Sequence, residues 1–153
     1  MNTPREILDS SRFWFLESLR YTQETLELSI AEGILSEPHQ IEVLGVDAGK
    51  GHSIEVQPFS RRLAIRFSNV FAYQVYEESL SHPEKYEPKG HGILREYRRS
   101  EYLEYLTSAI SLSALRTSYR HFGVILEDDI VDVVADREPE LFEVSEPLLE
   151  ADA

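Results

Sequence analysis

The groups in this chain whose types could do chemistry are a pair of adjacent carboxylates, a set of scattered histidines, a glycine-rich loop and a run of aspartates. Glu77 and Glu78 leave an apolar stretch just before a polar loop, but neighbours on an extended strand point to opposite faces and cannot share a proton. One of them is expected to pair across a sheet with Arg95, Arg98 or Arg99, which with Tyr97 form the chain's basic-aromatic cluster. The five histidines, at 39, 52, 82, 91 and 121, show no HExxH or other close ligand spacing. His121, between Arg120 and Phe122, reads as a hydrogen-bonded structural residue. An enzymatic site, if built here, would draw on Glu78, His82, His91 and His121 around the 79–92 loop, as in a small hydrolase or isomerase. No GxSxG elbow accompanies it.

The loop GVDAGKGHS at 45–53 lacks the first glycine of a phosphate-binding loop, where Leu44 stands, and has Gly51 where the Mg-binding hydroxyl belongs. It reads as a hairpin connection between Ile41/Val43 and Ile54/Val56. Asp128, Asp132 and Asp136 fall at i, i+4 and i+8 and share one face if that segment is helical. They lack the turn geometry of a calcium loop, so a docking patch for basic side chains is expected rather than a metal site. With no cysteine in the chain, disulfides, thiolate metal sites and a cysteine nucleophile are excluded. No metal and no cofactor is expected.

The net charge of −13 is unevenly spread, because residues 127–153 hold eleven acids against Arg137 alone. Such an end repels nucleic acid and anionic membrane and attracts a basic protein. Glu127, Asp128, Asp129, Asp132 and Asp136 are the expected partner-binding residues. There is no apolar run of about 18 residues and no basic-then-apolar start, so the expectation is a soluble, cytoplasmic protein.

The elements that must position these groups follow from hydrophobic period. Leu63, Ile65, Phe67, Phe71, Tyr73 and Val75 alternate over 61–78 and predict one long central strand, bent near Asn69; a hairpin at Ser68-Asn69 would exchange the parity of the second half. Residues 24–31 alternate as a half-buried strand, and 93–97 and 118–126 read as further strands, the last covered on both faces. Residues 12–21 fit strand or helix. Ser100 is placed to cap an amphipathic helix through Ile110, and Asp128 or Asp129 to cap a second through Ala135. A chain of 153 residues suits one domain. The expectation is a single α+β domain over 1–145, mostly antiparallel sheet with two short helices packed against it, and a frayed or disordered acidic tail at 146–153.

Three segments, FSNVFAYQVYEES at 67–79, RRSEYLEYL at 98–106 and YRHFGVILEDDIVDVVADREPEL at 119–141, together resemble a family of small, uncharacterised bacterial α+β proteins in which similar blocks occur in the same order. The resemblance implies the fold class and brings no functional residues. Small acidic proteins of this general kind include immunity proteins that neutralise toxins. The leading expectation is therefore a non-enzymatic protein-binding domain that masks a basic toxin or effector. The other two are the small hydrolase or isomerase above and a structural subunit of a homo-oligomer.

Overall fold

Where one face of a strand meets the core and the other meets solvent, the alternation in the sequence becomes backbone. Residues 25–31 lie in β2 (Thr25–Leu35), which pairs with β1 (Trp14–Thr22) through a two-residue turn. Both turn residues, Gln23 and Glu24, have positive φ (50° and 62°), the left-handed backbone region that lets a two-residue turn match the right-handed twist of its strands. The structure, a computed structural model, describes residues 1–80, 86–109 and 118–145. The expected tail at 146–153 lies outside the described residues.

The remaining strands are β3 (His39–Val43), β4 (Val46–Gly51), β5 (Ile54–Val56), β6 (Arg62–Phe67), β7 (Val70–Glu77), β8 (Tyr86–Pro88), β9 (Leu94–Ser100), β10 (Arg120–Ile125), β11 (Asp129–Ala135) and β12 (Glu140–Val144), with helices α1 (Pro4–Asp9) and α2 (Glu101–Ala109). Pairing is antiparallel throughout. One sheet runs β1-β2-β6-β12 with β5 on β2, a second runs β7-β11-β10-β9-β8, and β3-β4 form a separate hairpin. The class is α+β, with antiparallel sheet dominant. The two large sheets share one hydrophobic core, in which Leu28, Ile30, Leu63 and Ile65 of the first meet Phe122, Val124, Val131 and Val133 of the second.

Four expectations need correction. The stretch at 61–78 is not one strand: β6 belongs to the first sheet and β7 to the second, and the chain turns between them at Ser68-Asn69, with Asn69 at φ 51°. The Val70 N–H donates to Glu24 O at 2.8 Å, which ties this corner to the β1–β2 turn. After the corner, Val70 enters the core opposite Ala135; a register shift follows, and Tyr73 and Val75 then lie opposite the core residues Val133 and Val131. Ala72, Gln74 and Tyr76 take the other face. Second, VDAGKG is itself a strand, β4, folded back on β3 rather than a connection between β3 and β5.

Third, residues 129–135 form β11, not a helix. A strand covered on both faces carries an unbroken apolar run, which imitates a buried helix. Here Val131, Val133 and Ala135 enter the main core, while Val134 packs with Leu106 of α2 on the opposite face. Fourth, the irregular loop contains β8, preceded by a 3₁₀ turn at Glu78–Leu80.

The helix expected after Ser100 is α2, and Ser100 Oγ accepts from the Leu103 N–H at 3.0 Å as its cap. The other helix is at the chain's beginning. Thr3 Oγ1 accepts from the Glu6 N–H at 3.2 Å and the Glu6 carboxylate accepts from the Thr3 N–H at 2.7 Å, a capping box with Pro4 at the first helical position. The indole N–H of fully buried Trp14 donates to Leu8 O at 3.0 Å and fastens α1 to the core.

Candidate functional site

On the α2 face of the second sheet, strand register brings together residues far apart in sequence. Asp132 stands between Gln74 on β7 and Gly123 on β10. His121, two residues from Gly123, stands opposite Tyr97 on β9. Both His121 and Asp132 are 0% exposed, and Nε2 of the imidazole lies 2.8 Å from Asp132 Oδ1. Since a carboxylate only accepts, Nε2 carries the proton in this bond. Oδ2 of the same carboxylate accepts from Gln74 Nε2 at 2.8 Å and from the Tyr86 hydroxyl at 3.4 Å.

Tyrosines close around this pair. The His121 ring lies 4.5 Å from the Tyr97 ring centroid, 5.2 Å from Tyr86 and 5.4 Å from Tyr102, the last two edge-on. Gly123 makes room for this packing, because a Cβ there would sit 2.6 Å from the Tyr97 ring. Burial, reinforced by the charge of Asp132, pushes the hydroxyls of Tyr97 and Tyr102 up to about 12 and raises those of Tyr76 and Tyr86 further. All four tyrosines are therefore neutral donors at physiological pH. Among the described residues His121 Nδ1 has no hydrogen-bond partner, which costs about 1–3 kcal/mol.

Outward from this cluster, a cavity of about 390 Å³ is lined by Gln74, Tyr76, Leu80, Tyr86, Glu101, Tyr102 and Tyr105. His121 is not in its wall. Glu78 borders a smaller cavity of about 140 Å³, and His91 borders two others of about 420 and 460 Å³ beside Arg95. None of these four cavities brings together two of Glu78, His91 and His121, and His82 lies outside the described residues. A substrate would have to pass the tyrosines to touch the imidazole.

The acids singled out in the sequence separate into two groups. Asp128, Asp132 and Asp136 do not share a helical face. Asp132 is interior, and Asp136 accepts from Arg137 at 2.9 Å and from Asn69 at 3.2 Å. Glu127, Asp128 and Asp129 instead meet Glu77 and Glu78 at one corner of the second sheet. There Asp129 is registered with Glu77, and the Glu78 N–H donates to Asp128 O at 3.0 Å. Partial burial and the neighbouring charges of Asp128 and Glu78 raise the Glu127 carboxyl above its ordinary value.

No salt bridge reaches these five acids from the described residues. The arginines expected to answer Glu77 or Glu78 are engaged elsewhere: Arg98 with Glu87, Arg99 with Glu104, and Arg95 with Gly92 O. Among the described residues, no group of three or more histidine or acidic side chains is arranged to hold a metal ion.

A different network flanks His121. Arg120 grips Glu96 through two bonds of 2.7 and 2.8 Å, and Lys89 adds a third at 3.0 Å. The Arg120 bonds first, and Lys89 second, hold the Glu96 carboxyl down at about 2 against an ordinary 4.5. Because the folded value is the lower one, the stabilisation is complete above about 4.5 and disappears as pH falls towards 2. The thermal midpoint of Glu96→Gln should therefore lie below that of the parent at pH 6, with the gap closing between pH 4.5 and 2.5. A gap independent of pH would show that the charge of Glu96 is not what stabilises.

No protein-family profile, curated protein or solved structure matches this chain. The function has to be argued from the chemistry of the tyrosine-walled cavity and the acidic corner. Sequence reasoning missed both the Gln74–Asp132–His121 line and its tyrosines, since their positions carry no motif; they converge only through the register of five strands and the placing of α2 against them.

Proposed function

We propose that this protein is a non-enzymatic binding domain that meets a basic protein partner at the corner formed by Glu77, Glu78, Glu127, Asp128 and Asp129, as a bacterial immunity protein masks a basic toxin or effector. The observation that carries the reading is the division of charge. Arginines at 5, 61, 62, 66, 120 and 137 neutralise Asp9, Glu32, Glu17, Glu27, Glu96, Glu138 and Asp136. These five corner acids receive no such answer from the described residues. A concentrated field of one sign raises the encounter rate with a partner of the other, and apolar anchors nearby then set the lifetime of the complex. The complete burial of His121, away from the walls of the four cavities described, supports a binder over a general-base enzyme, because a base must reach the proton it removes.

Charge reversal tests the reading. The triple variant Glu77→Lys, Glu127→Lys, Asp128→Lys should associate with a lysine-rich peptide about tenfold more slowly than the parent at low salt, with the difference shrinking as salt rises. A control that reverses Glu37, Glu42 and Glu55, exposed acids around the β3-β4 hairpin, makes the same change in net charge and should slow association much less. Equal slowing by both triples in stopped-flow mixing would leave only a net-charge effect and defeat the proposal.

A further inference from the structure

We infer that the cavity between β7, β8 and α2 receives the guanidinium of an arginine side chain from the basic partner; this rests on the reading above and names the anchor that completes it. Tyr76, Tyr86, Tyr102 and Tyr105 supply four aromatic rings to a cavity of about 390 Å³. Behind them Asp132, itself 0% exposed, accepts from Gln74 at 2.8 Å and from the Tyr86 hydroxyl at 3.4 Å. A phenol that donates its proton to a carboxylate gains electron density on its ring, which strengthens the attraction of the ring face for a cation. The same bond orients Gln74: its NH₂ must face the carboxylate, so the amide oxygen is turned away from Asp132 as an acceptor.

The cavity thus offers ring faces, hydroxyl oxygens and an amide oxygen, on a protein of net charge −13. Anions are repelled. A quaternary ammonium would satisfy the rings but has no N–H for the acceptors, and a primary ammonium gives up its hydration reluctantly. A guanidinium is planar, weakly hydrated and rich in donors, and it stacks on aromatic rings. Position argues for a side chain of the same partner. Leu80 at the cavity rim closes the 3₁₀ turn that begins at Glu78 of the acidic corner. A basic segment steered to the corner therefore arrives within a few residues of the opening, where Leu80 and Tyr105 are 63% and 65% exposed.

The test titrates the full chain calorimetrically with acetyl-Gly-Arg-Gly-amide and with its citrulline counterpart, which has the same shape and no charge. The arginine peptide should bind about tenfold more tightly, and Tyr102→Leu and Tyr105→Leu should each weaken it at least about threefold, while Tyr105→Phe retains most of the affinity. Tyr105 is largely exposed, so its replacement keeps the test valid should Tyr102→Leu fail to fold. Equal affinity for the two peptides, or indifference to Tyr105→Leu, would overturn the inference. If arginine shows no preference while the corner reversal still slows the lysine-rich peptide, the pocket assignment falls and the basic-partner reading stands. If the arginine preference persists while the corner reversal has no effect, the corner has been wrongly assigned.

Discussion

Asp132→Ala is expected to destabilise the fold by about 3–5 kcal/mol, the range for leaving several buried polar groups without the partner they share. The loss exceeds that of one hydrogen bond because one carboxylate serves His121, Gln74 and Tyr86 together. Without it the imidazole, already lacking a partner for Nδ1, has none for Nε2 either. Denaturant titration followed by the fluorescence of Trp14, the chain's one tryptophan, measures the effect. Asp128→Ala, on the exposed corner, should stay within about 0.5 kcal/mol of the parent. Replacing both members, His121→Leu with Asp132→Leu, should recover much of the loss, since it buries neither an unpaired charge nor an orphaned ring nitrogen. A single Asp132→Ala variant as stable as Asp128→Ala would mean that the buried pair contributes nothing to holding β10 and β11 in place.

Trp14→Ala should cost a similar amount, about 3–5 kcal/mol, through the cavity left by a fully buried indole. Two further consequences are local. The indole N–H no longer holds Leu8 O, so α1 loses one of its attachments to the core, keeping its capping box, the burial of Ile7 and Leu8 and the Arg5 bond to Leu94 O. A six-residue helix cannot persist on caps alone. Backbone bonds of residue 14 are retained, including the one its carbonyl accepts from the Glu127 N–H at 2.9 Å, so the acidic corner should keep its place. Circular dichroism during thermal unfolding measures the stability, and amide exchange at Ile7 and Leu8 should accelerate before the rest of the sheet. Undiminished protection of α1 would show that the tryptophan is not what secures it.

The sequence was informative wherever a strand had one wet face. Leu26, Leu28 and Ile30 alternate with polar neighbours, and each is buried in β2. It was misleading where that contrast vanished. β11 is covered on both sides, so its valines show no period of two, and the single polar residue among them, Asp132, reads as surface in the sequence but is the most enclosed acid of the described residues. β4 failed for the opposite reason: VDAGKG is almost wholly exposed, offers no apolar face, and is held as a strand by backbone pairing to β3. The capping box at Thr3-Glu6 is legible in the spacing of a threonine and a glutamate three residues apart with a proline between them. The tyrosine cluster was not legible, because Tyr76, Tyr86, Tyr97 and Tyr102 sit on four different elements and meet only after β7, β11, β10, β9 and β8 have aligned.

The corner at Asn69 and the irregularity after Val70 are two odd steps in a pleat of period two. From Phe67 to Val70 the core-side position advances by three residues, and from Val70 to Tyr73, a partly exposed ring registered with the core residue Val133, by three again. Each step alone would turn the rest of β7 inside out; together they restore the original frame. Apart from Phe71, which turns to the α2 side, the row therefore keeps its phase across a joint between two sheets, and this compensation is what delivers Gln74 to Asp132 instead of to the oily interior.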